Sequence, residues 1–525
     1  MDLVANPTFH SLLPCADLNF IRFVREAFGK KPETGGDYLP FLLNEKINLI
    51  QRPRLERQRA TGAGKRKRQR DARDHFQSRG TRKIRTVPQV RLAERLQRIS
   101  SNVFGSSHIL LPSTMSLTVL RSLRGSHQTR AWASFARVRY MSADSSTSSL
   151  AELDASRVEI VRTTKPGVPP PSSTLKFGHT FTDHMLTIPW NVISGWGTPK
   201  IQPYAPLALD PSCTVLHYAQ TIFEGLKAYR QEDGKVTLFR PDMNMKRMNT
   251  SAQRIALPTF NGEQLLELVK QLIRIDKDWI PKEPGHSLYV RPTLIGTQRA
   301  IGVGPPNEAL LFVILSPVGP YYPNGFKPVS LYGTTEYVRA APGGTGAYKL
   351  GVNYAPGILP QREAAQLGYA QNLWLHGPEH YLTEVGTMNL FVVFRDPTTN
   401  ELELVTPPLD GMILPGITRD SVLSLARQHA DGKYSVKDLP AKIKVSERPV
   451  TMQEVKEASE KGTLVEMFGA GTAAVISPVD RIGYMGGDVH IPTGPDGMGP
   501  VSRPIWKELV GRQTGEIPSD WSVEI

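Results

Sequence analysis

Two hydrophobic periods alternate along the chain from Leu175 onward. In "KVTLFR" (Lys235–Arg240), just after the turn "EDG", apolar and polar residues alternate, which predicts a strand with one buried face. The period then lengthens. Pro241 and Asp242 open a stretch in which Met245, Met248, Ala252 and Ile255 recur at 3–4–3 spacing, and this aligns them along one stripe of a helix. "NGEQLLELVKQLIRIDKDWI" repeats the helical pattern, while "SLYVRPTLIG" and "ALLFVILSPVG" return to strands. A Pro/Gly-rich interruption, "SPVGPYYPNGFKP" (Ser316–Pro328), marks a linker. Beyond it, "VSLYG", "NLWLHG", "NLFVVF" and "LVEMFG" predict strands, and "PQREAAQLGYA" and "ITRDSVLSLARQ" predict helices. The pattern gives an α+β protein with one domain over residues 166–318, a linker at 319–325 and a second domain over 326–525.

Upstream the character changes. Residues 51–100 hold seventeen Lys and Arg against four acids, and residues 151–525 come out close to neutral. The net charge of +14 is therefore the charge of an extension and not of the globule. Within the extension, "GKRKRQRDARDHFQSRGTRKIR" (Gly64–Arg85) fits a solvated, disordered charge run or, alternatively, a nucleic-acid or nuclear-import element. No aromatic residues are interleaved in it for base stacking. Met115–Ala143 differs again: five arginines, many Ser and Ala, no acid before Asp144, and Leu117, Leu120 and Leu123 along one side. That is the composition of a mitochondrial presequence. The expectation is that the natural product starts at Met115, that residues 1–114 are a basic, disordered upstream extension, and that residues 115–165 are presequence and linker. This expectation places the protein in the mitochondrial matrix, with a cytosolic form also possible. With 40% hydrophobic residues and seven Trp the remainder can bury large cores, while apolar runs such as "ALLFVIL" and "LFVVF" are strand-sized and too short to span a membrane. Two cysteines, Cys15 and Cys213, supply neither a disulfide framework nor a Cys-rich metal site. The core is expected to bind no nucleic acid and no membrane.

The candidate chemistry centres on "GAYKLGVNY" (Gly346–Tyr354), where Lys349 sits between turn-forming residues and two tyrosines. A lysine becomes a nucleophile towards carbonyls when its ammonium is destabilised. Three other segments could complete a site for pyridoxal phosphate. In "LPGITRDSVLSLARQ", Pro415-Gly416 precedes a helix, so that the amides of Ile417 and Thr418 could meet a phosphate. "FGAGTAAV" offers Gly469, Gly471 and Thr472 as a second cradle, and Arg247 could add a guanidinium. Glu384 in "YLTEVGTMNLFVVF" is a carboxylate that could keep a pyridine nitrogen protonated. Taken singly, each is equally an ordinary turn, strand end or solvated side chain.

Together they are more than that. "EVGTMNLF" (Glu384–Phe391), "LVT" (Leu404–Thr406) and "LPGITR" (Leu414–Arg419) resemble the signature of the class IV, fold-type IV pyridoxal-phosphate aminotransferases. With "FTDHM" (Phe181–Met185), "LHYAQTIFEGLKAY" (Leu216–Tyr229), "LFRPDMNMKRM" (Leu238–Met248), "SLYVRPTLIG" (Ser287–Gly296), "YKLGVNYAP" (Tyr348–Pro356) and "GAGTAAV" (Gly469–Val475), the chain from about Leu175 to its end resembles the branched-chain amino acid aminotransferases of eukaryotic type.

The resemblance implies a small N-terminal α/β domain and a larger C-terminal domain with pyridoxal 5'-phosphate at their interface. It implies transfer of the amino group of Leu, Ile or Val to 2-oxoglutarate, giving the branched 2-oxo acid and glutamate. Lys349 would carry the cofactor as a Schiff base and then move the proton. Glu384 would pair with the pyridinium and Tyr354 with the 3-oxygen, while Arg247, Ile417, Thr418 and Thr472 would hold the phosphate. Thr472, Ala473 and Tyr289 would receive the substrate α-carboxylate. Phe177, Tyr218, Phe223, Tyr289, Tyr354 and Thr387 would line the side-chain pocket, with Tyr218 entering from the partner in a homodimer and Arg291 meeting the acceptor's second carboxylate. No metal is implied. The alternative is another fold-type IV enzyme, a D-amino acid aminotransferase or an aminodeoxychorismate lyase. Two departures stand out: Ala474 and Ser477 occupy the positions of the C-x-x-C of mitochondrial mammalian relatives, and Val352 stands where the family often has Gly.

Overall fold

The computed structural model describes residues 150–320 and 327–525. The basic run, Met115–Ala143 and residues 321–325 of the expected linker lie outside the described residues.

The first sheet begins with β1 (Glu159–Ile160), β2 (His184–Asn191), β3 (Gly195–Trp196) and β4 (Lys200–Pro203). After a short helix, α1 (Thr214–Tyr218), it continues through β5 (Thr221–Phe223), β6 (Leu226–Arg230) and β7 (Val236–Phe239). Two helices, α2 (Pro241–Arg254) and α3 (Gly262–Ile275), separate these from the long hairpin β8 (Ser287–Gly296) and β9 (Glu308–Val318). The helical stripe expected from the sequence is the buried one: Met245, Met248 and Ala252 on α2 pack with Leu265, Leu268, Val269 and Leu272 on α3. The Asn261 side chain starts α3 by accepting the amides of Glu263 and Gln264. Against these helices lie Leu311, Val313 and Leu315, the alternate residues of β9.

The second sheet contains β10 (Val329–Thr334), β11 (Gln371–His376), β12 (Tyr381–Val385), β13 (Met388–Arg395) and β14 (Leu402–Thr406). It is completed by β15 (Ile443–Glu447), β16 (Leu464–Gly471), β17 (Val475–Tyr484) and β18 (Gly487–His490). The pairing order is β12-β11-β10-β17-β16-β13-β14-β15, and β12 also pairs with β13, so six of the strands close into a ring. This explains the unbroken apolar run of β13. Leu390 and Val392 face the core that includes Val455 of α6 (Met452–Glu460). Phe391 and Val393 face the other core, which holds Val422 of α5 (Ile417–Ala430) and Leu509 of α7 (Ser502–Thr514). A strand covered on both faces has no polar side to show.

Two boundaries differ from those expected. The helix read from "PQREAAQLGYA" is α4 (Ile358–Gln366), with Pro360 in the first turn, where a missing N–H costs nothing. It stops before Gly368, whose φ of +87° is the left-handed conformation that ends a helix. The stretch read as a linker is docked from residue 150 on: β1 pairs with β4, the Thr163 amide donates to His184 Nε2 (2.9 Å), and the Gly167 amide donates to Asp183 Oδ1 (2.8 Å). Its polar side chains disguise a backbone that is held by the globule.

The final strand, β19 (Ser522–Glu524), returns to the first sheet and pairs with β7. The loop that carries Lys349, between β10 and α4, meets the first sheet at β5. The Phe223 amide donates to the Lys349 carbonyl at 3.2 Å, and Ile222 bridges to Leu350.

Candidate active site

The glycines around Lys349 are explained by close approach. A Cβ on Gly346 would lie 2.2 Å from the Met412 carbonyl oxygen, and one on Gly351 would lie 2.4 Å from Thr221 Cγ2. Asn353 holds the loop on both sides of the lysine: Nδ2 donates to the carbonyls of Thr345 and Tyr348 (2.8 Å each), and Oδ1 accepts the Thr345 hydroxyl (2.6 Å). The Lys349 amide donates to Ser251 Oγ of α2 at 2.9 Å. The lysine backbone is therefore held by α2, by β5 of the first sheet and by its own loop.

Its amine meets a wall of rings and cations. Nζ donates to Tyr354 Oη at 3.3 Å and lies 4.8 Å from the Phe223 ring centroid. Phe223 and Tyr354 pack at 4.9 Å. The Arg291 guanidinium sits over Phe223 (4.8 Å) and Tyr289 (5.2 Å), and its Nη2 donates to Tyr289 Oη at 3.1 Å. Arg291 Nε is buried with no hydrogen-bond partner among the described residues. Phe177 meets Tyr289 edge-on at 4.9 Å. Desolvation, then the nearby Arg247 and Arg291, pull the Lys349 amine down to about 7, against the opposing pull of Glu224 and Glu384. Burial pushes the Tyr354 phenol up to about 12.

Glu384, 2% exposed, is the penultimate residue of β12. Its Oε1 accepts the Leu414 amide (3.0 Å) and Asn389 Nδ2 (3.2 Å), and its Oε2 lies 2.6 Å from Arg339 Nη2. Burial raises this carboxyl, partly offset by Arg339. Asn389 also donates to the Leu414 carbonyl at 2.8 Å, tying the glutamate to the turn that starts α5. That helix begins at Gly416 with no side-chain cap, which leaves its first amides for an anion. Ile417 and Thr418 line one small cavity with Thr472 of the β16–β17 turn. Lys227 lines it as well and donates to the Ala473 carbonyl at 2.8 Å; burial brings its amine down to about 8. Arg247 Nη1 donates to the Pro415 carbonyl at 3.0 Å, just before the helix.

Tyr218 and Thr387, among the expected residues, are exposed. Tyr218 on α1 is 39% exposed and donates its hydroxyl to the Ile301 carbonyl, and Thr387 is exposed at the β12–β13 turn. Conversely, Glu224, Arg339, Lys227, Ser251 and Asn389 contact the site although the sequence did not single them out. Glu224 and Lys227 do lie inside "FEGLKAY", and a charged residue on either side of Gly225-Leu226 in an otherwise apolar strand was the available signal.

The donor set matches the parts of pyridoxal phosphate. It offers a desolvated amine for the aldehyde, a phenol beside it, a buried carboxylate for a pyridinium and an uncapped helix start with a second turn for a phosphate. Among the described residues no cluster of metal-ligating side chains occurs.

Comparison with known proteins agrees. The family described as amino-transferase class IV matches residues 221–482. The chain is 53% identical over 375 residues to the cytosolic branched-chain-amino-acid aminotransferase of Saccharomyces cerevisiae, covering 71% of this chain and 98% of that one. It is equally, 53%, identical over 374 residues to the mitochondrial enzyme of the same yeast, covering 71% and 93%. A crystal structure of the Escherichia coli branched-chain amino acid aminotransferase superposes with a TM-score of 0.51 at 26% identity, covering 65% of this chain and 97% of that one.

Proposed function

The chain belongs to the branched-chain-amino-acid aminotransferases of amino-transferase class IV, and from that premise we propose that it moves the amino group of leucine, isoleucine or valine to 2-oxoglutarate, with Lys349 as its catalytic residue. The observation that carries this reading is the setting of Lys349 Nζ, desolvated, 3.3 Å from Tyr354 Oη and in the field of both Arg247 and Glu384.

Pyridoxal phosphate, when bound, supplies an aldehyde that condenses with amines and a ring that withdraws electrons from the substrate Cα. The rest is done by the chain. Lys349, with its amine near 7, is neutral often enough at cellular pH to take the Cα proton and acidic enough to return it. Glu384 holds positive charge at the ring nitrogen, and Tyr354 holds the 3-oxygen. Arg247, Ile417, Thr418 and Thr472 hold the phosphate, and the arginine's hydrogen bond to the Pro415 carbonyl aims it at that helix start. The amides of Thr472 and Ala473, with Tyr289, receive the α-carboxylate.

Phe177, Phe223, Tyr289 and Tyr354 give an apolar wall for the branched side chain, with Thr387 at its rim. Arg291 lies behind these rings and reaches the second carboxylate of 2-oxoglutarate without presenting a bare charge to leucine. One methylene discriminates by only about 1–3 kcal/mol, so all three branched amino acids are substrates. Tyr218 serves the pocket of a partner in a homodimer; its exposure on α1, beside the exposed Leu216 and Ile301, supports that placement. The presequence-like segment at Met115 directs the protein to the mitochondrial matrix.

A purified preparation is expected to show a visible absorption band that bleaches with L-leucine and recovers with 2-oxoglutarate, and Lys349→Ala is expected to abolish turnover. Product formed from D-alanine and not from L-leucine would transfer the protein to the D-amino acid branch of its class. Sequencing the N-terminus of the endogenous protein tests the targeting: peptides from residues 2–98 would overturn the start at Met115.

A further inference from the structure

Arg247, the guanidinium expected at the phosphate, is already paired. Nε donates to Glu224 Oε1 and Nη2 to Glu224 Oε2, both at 2.8 Å, in a two-pronged contact. Glu224 is fully buried and Arg247 is 9% exposed. The same carboxylate accepts Asn244 Nδ2 at 2.7 Å and the Gly225 amide at 3.2 Å. Asn244 and Arg247 are three residues apart on α2 and so share one face, and that face grips the carboxylate. Gly225 lets the segment carrying Glu224, between β5 and β6, press against Tyr289, where a Cβ would sit 1.9 Å from Oη. With Nη1 on the Pro415 carbonyl, three of the guanidinium's five N–H groups are engaged, and two remain to turn towards an anion.

We propose that Glu224 is a positioning residue of this active site: its carboxylate aims the Arg247 guanidinium and cancels its charge, so that Lys349 faces a neutral pair. The inference rests on the reading of Lys349 as the cofactor-bearing lysine. A buried cation left without its counter-ion is costly and exerts its field at short range, because little water screens it. The groups that bear on the Lys349 amine are Arg247 and Glu224, Arg291, Glu384 with its partner Arg339, and the phenols of Tyr354 and Tyr289. In this set Arg247 lowers the amine's proton affinity and Glu224 raises it. Taking away only the Glu224 charge leaves Arg247 unopposed.

The test is the pH midpoint of the visible band of the holoenzyme, with pyridoxal phosphate affinity measured separately by fluorescence titration of the cofactor-free chain. Glu224→Gln is expected to move the midpoint down by about one pH unit. The double variant Glu224→Gln, Arg247→Met, which removes both charges, returns it towards the wild-type value. Glu224→Asp keeps the charge but shortens the reach, so it leaves the midpoint in place and weakens cofactor binding by about tenfold. A midpoint in Glu224→Gln equal to or above wild type overturns the proposal, and so does a double variant no closer to wild type than the single one. Where Glu224→Gln retains no cofactor, Glu224→Asp decides: a midpoint displaced together with affinity overturns the proposal, and a fixed midpoint with lowered affinity supports it. A wild-type protein without a titrating band would instead refute the assignment of Lys349.

Discussion

Lys349 is costly to bury as an ammonium, and its protonation writes that cost into the pH dependence of stability. Its amine lies near 7 in the fold and near 10.5 when unfolded. Between those values the unfolded chain binds the extra proton, so stability rises with pH across this window by up to about 1.4 kcal/mol per pH unit. Below 7 both states are protonated and the gain is absent. Denaturant titrations of the cofactor-free chain at pH 7, 8 and 9 are therefore expected to show wild type gaining on Lys349→Met as pH rises; a constant difference would contradict the buried amine. At this scale the motifs pointed to Lys349, Glu384 and Arg247, which the structure brings near one another. The sequence was silent on Glu224, Arg339 and Asn353. Glu224 and Arg339 act through partners far away in sequence, as Arg339 does on Glu384, and no local spacing encodes such a pairing; Asn353 closes its own loop, which has no period to read.

Among the elements, the start of α5 is the most sensitive to a single atom. A Cβ on Gly416 would lie 1.9 Å from Asn389 Oδ1, and Asn389 is what joins Glu384 to the Leu414 carbonyl. The glycine's φ of −71° suits alanine, so the penalty of Gly416→Ala is displacement of Asn389 and not backbone strain. A loss of about 1–3 kcal/mol is expected in thermal unfolding, accompanied by weaker cofactor retention. Undiminished affinity for pyridoxal phosphate would separate this helix start from the phosphate. Elements with a sustained period or a long apolar run, α2, α3, α5, β8, β9 and β13, were all readable. The short strands β3 and β5 and the docked segment at β1 were not, because two or three residues carry no measurable period and their pairing is decided by distant backbone.

On the scale of the molecule, the last residues clasp the two sheets together. Trp521 lies between the guanidinium groups of Arg240 (4.6 Å) and Arg512 (4.9 Å) and meets Phe239 edge-on at 5.8 Å. Arg240 also reaches across to α5, donating to Ser421 Oγ (2.8 Å) and pairing with Asp420 (2.7 Å). Trp521→Ala is expected to cost about 1–3 kcal/mol in stability. It should also speed cofactor loss, since α5 is the helix proposed to meet the phosphate; a stability loss with unchanged cofactor dissociation would restrict the clasp to a structural role. Nothing in the terminal sequence "DWSVEI" announces this partnership, which depends on a strand made far earlier.

That pairing also orders events in time. At about 5–20 residues per second of synthesis, β7 has been waiting tens of seconds when β19 leaves the ribosome, so the sheet translated first is finished last. Until then its outer edge stays open to any passing strand. A nascent chain stalled just short of Trp521 is a natural client for a chaperone.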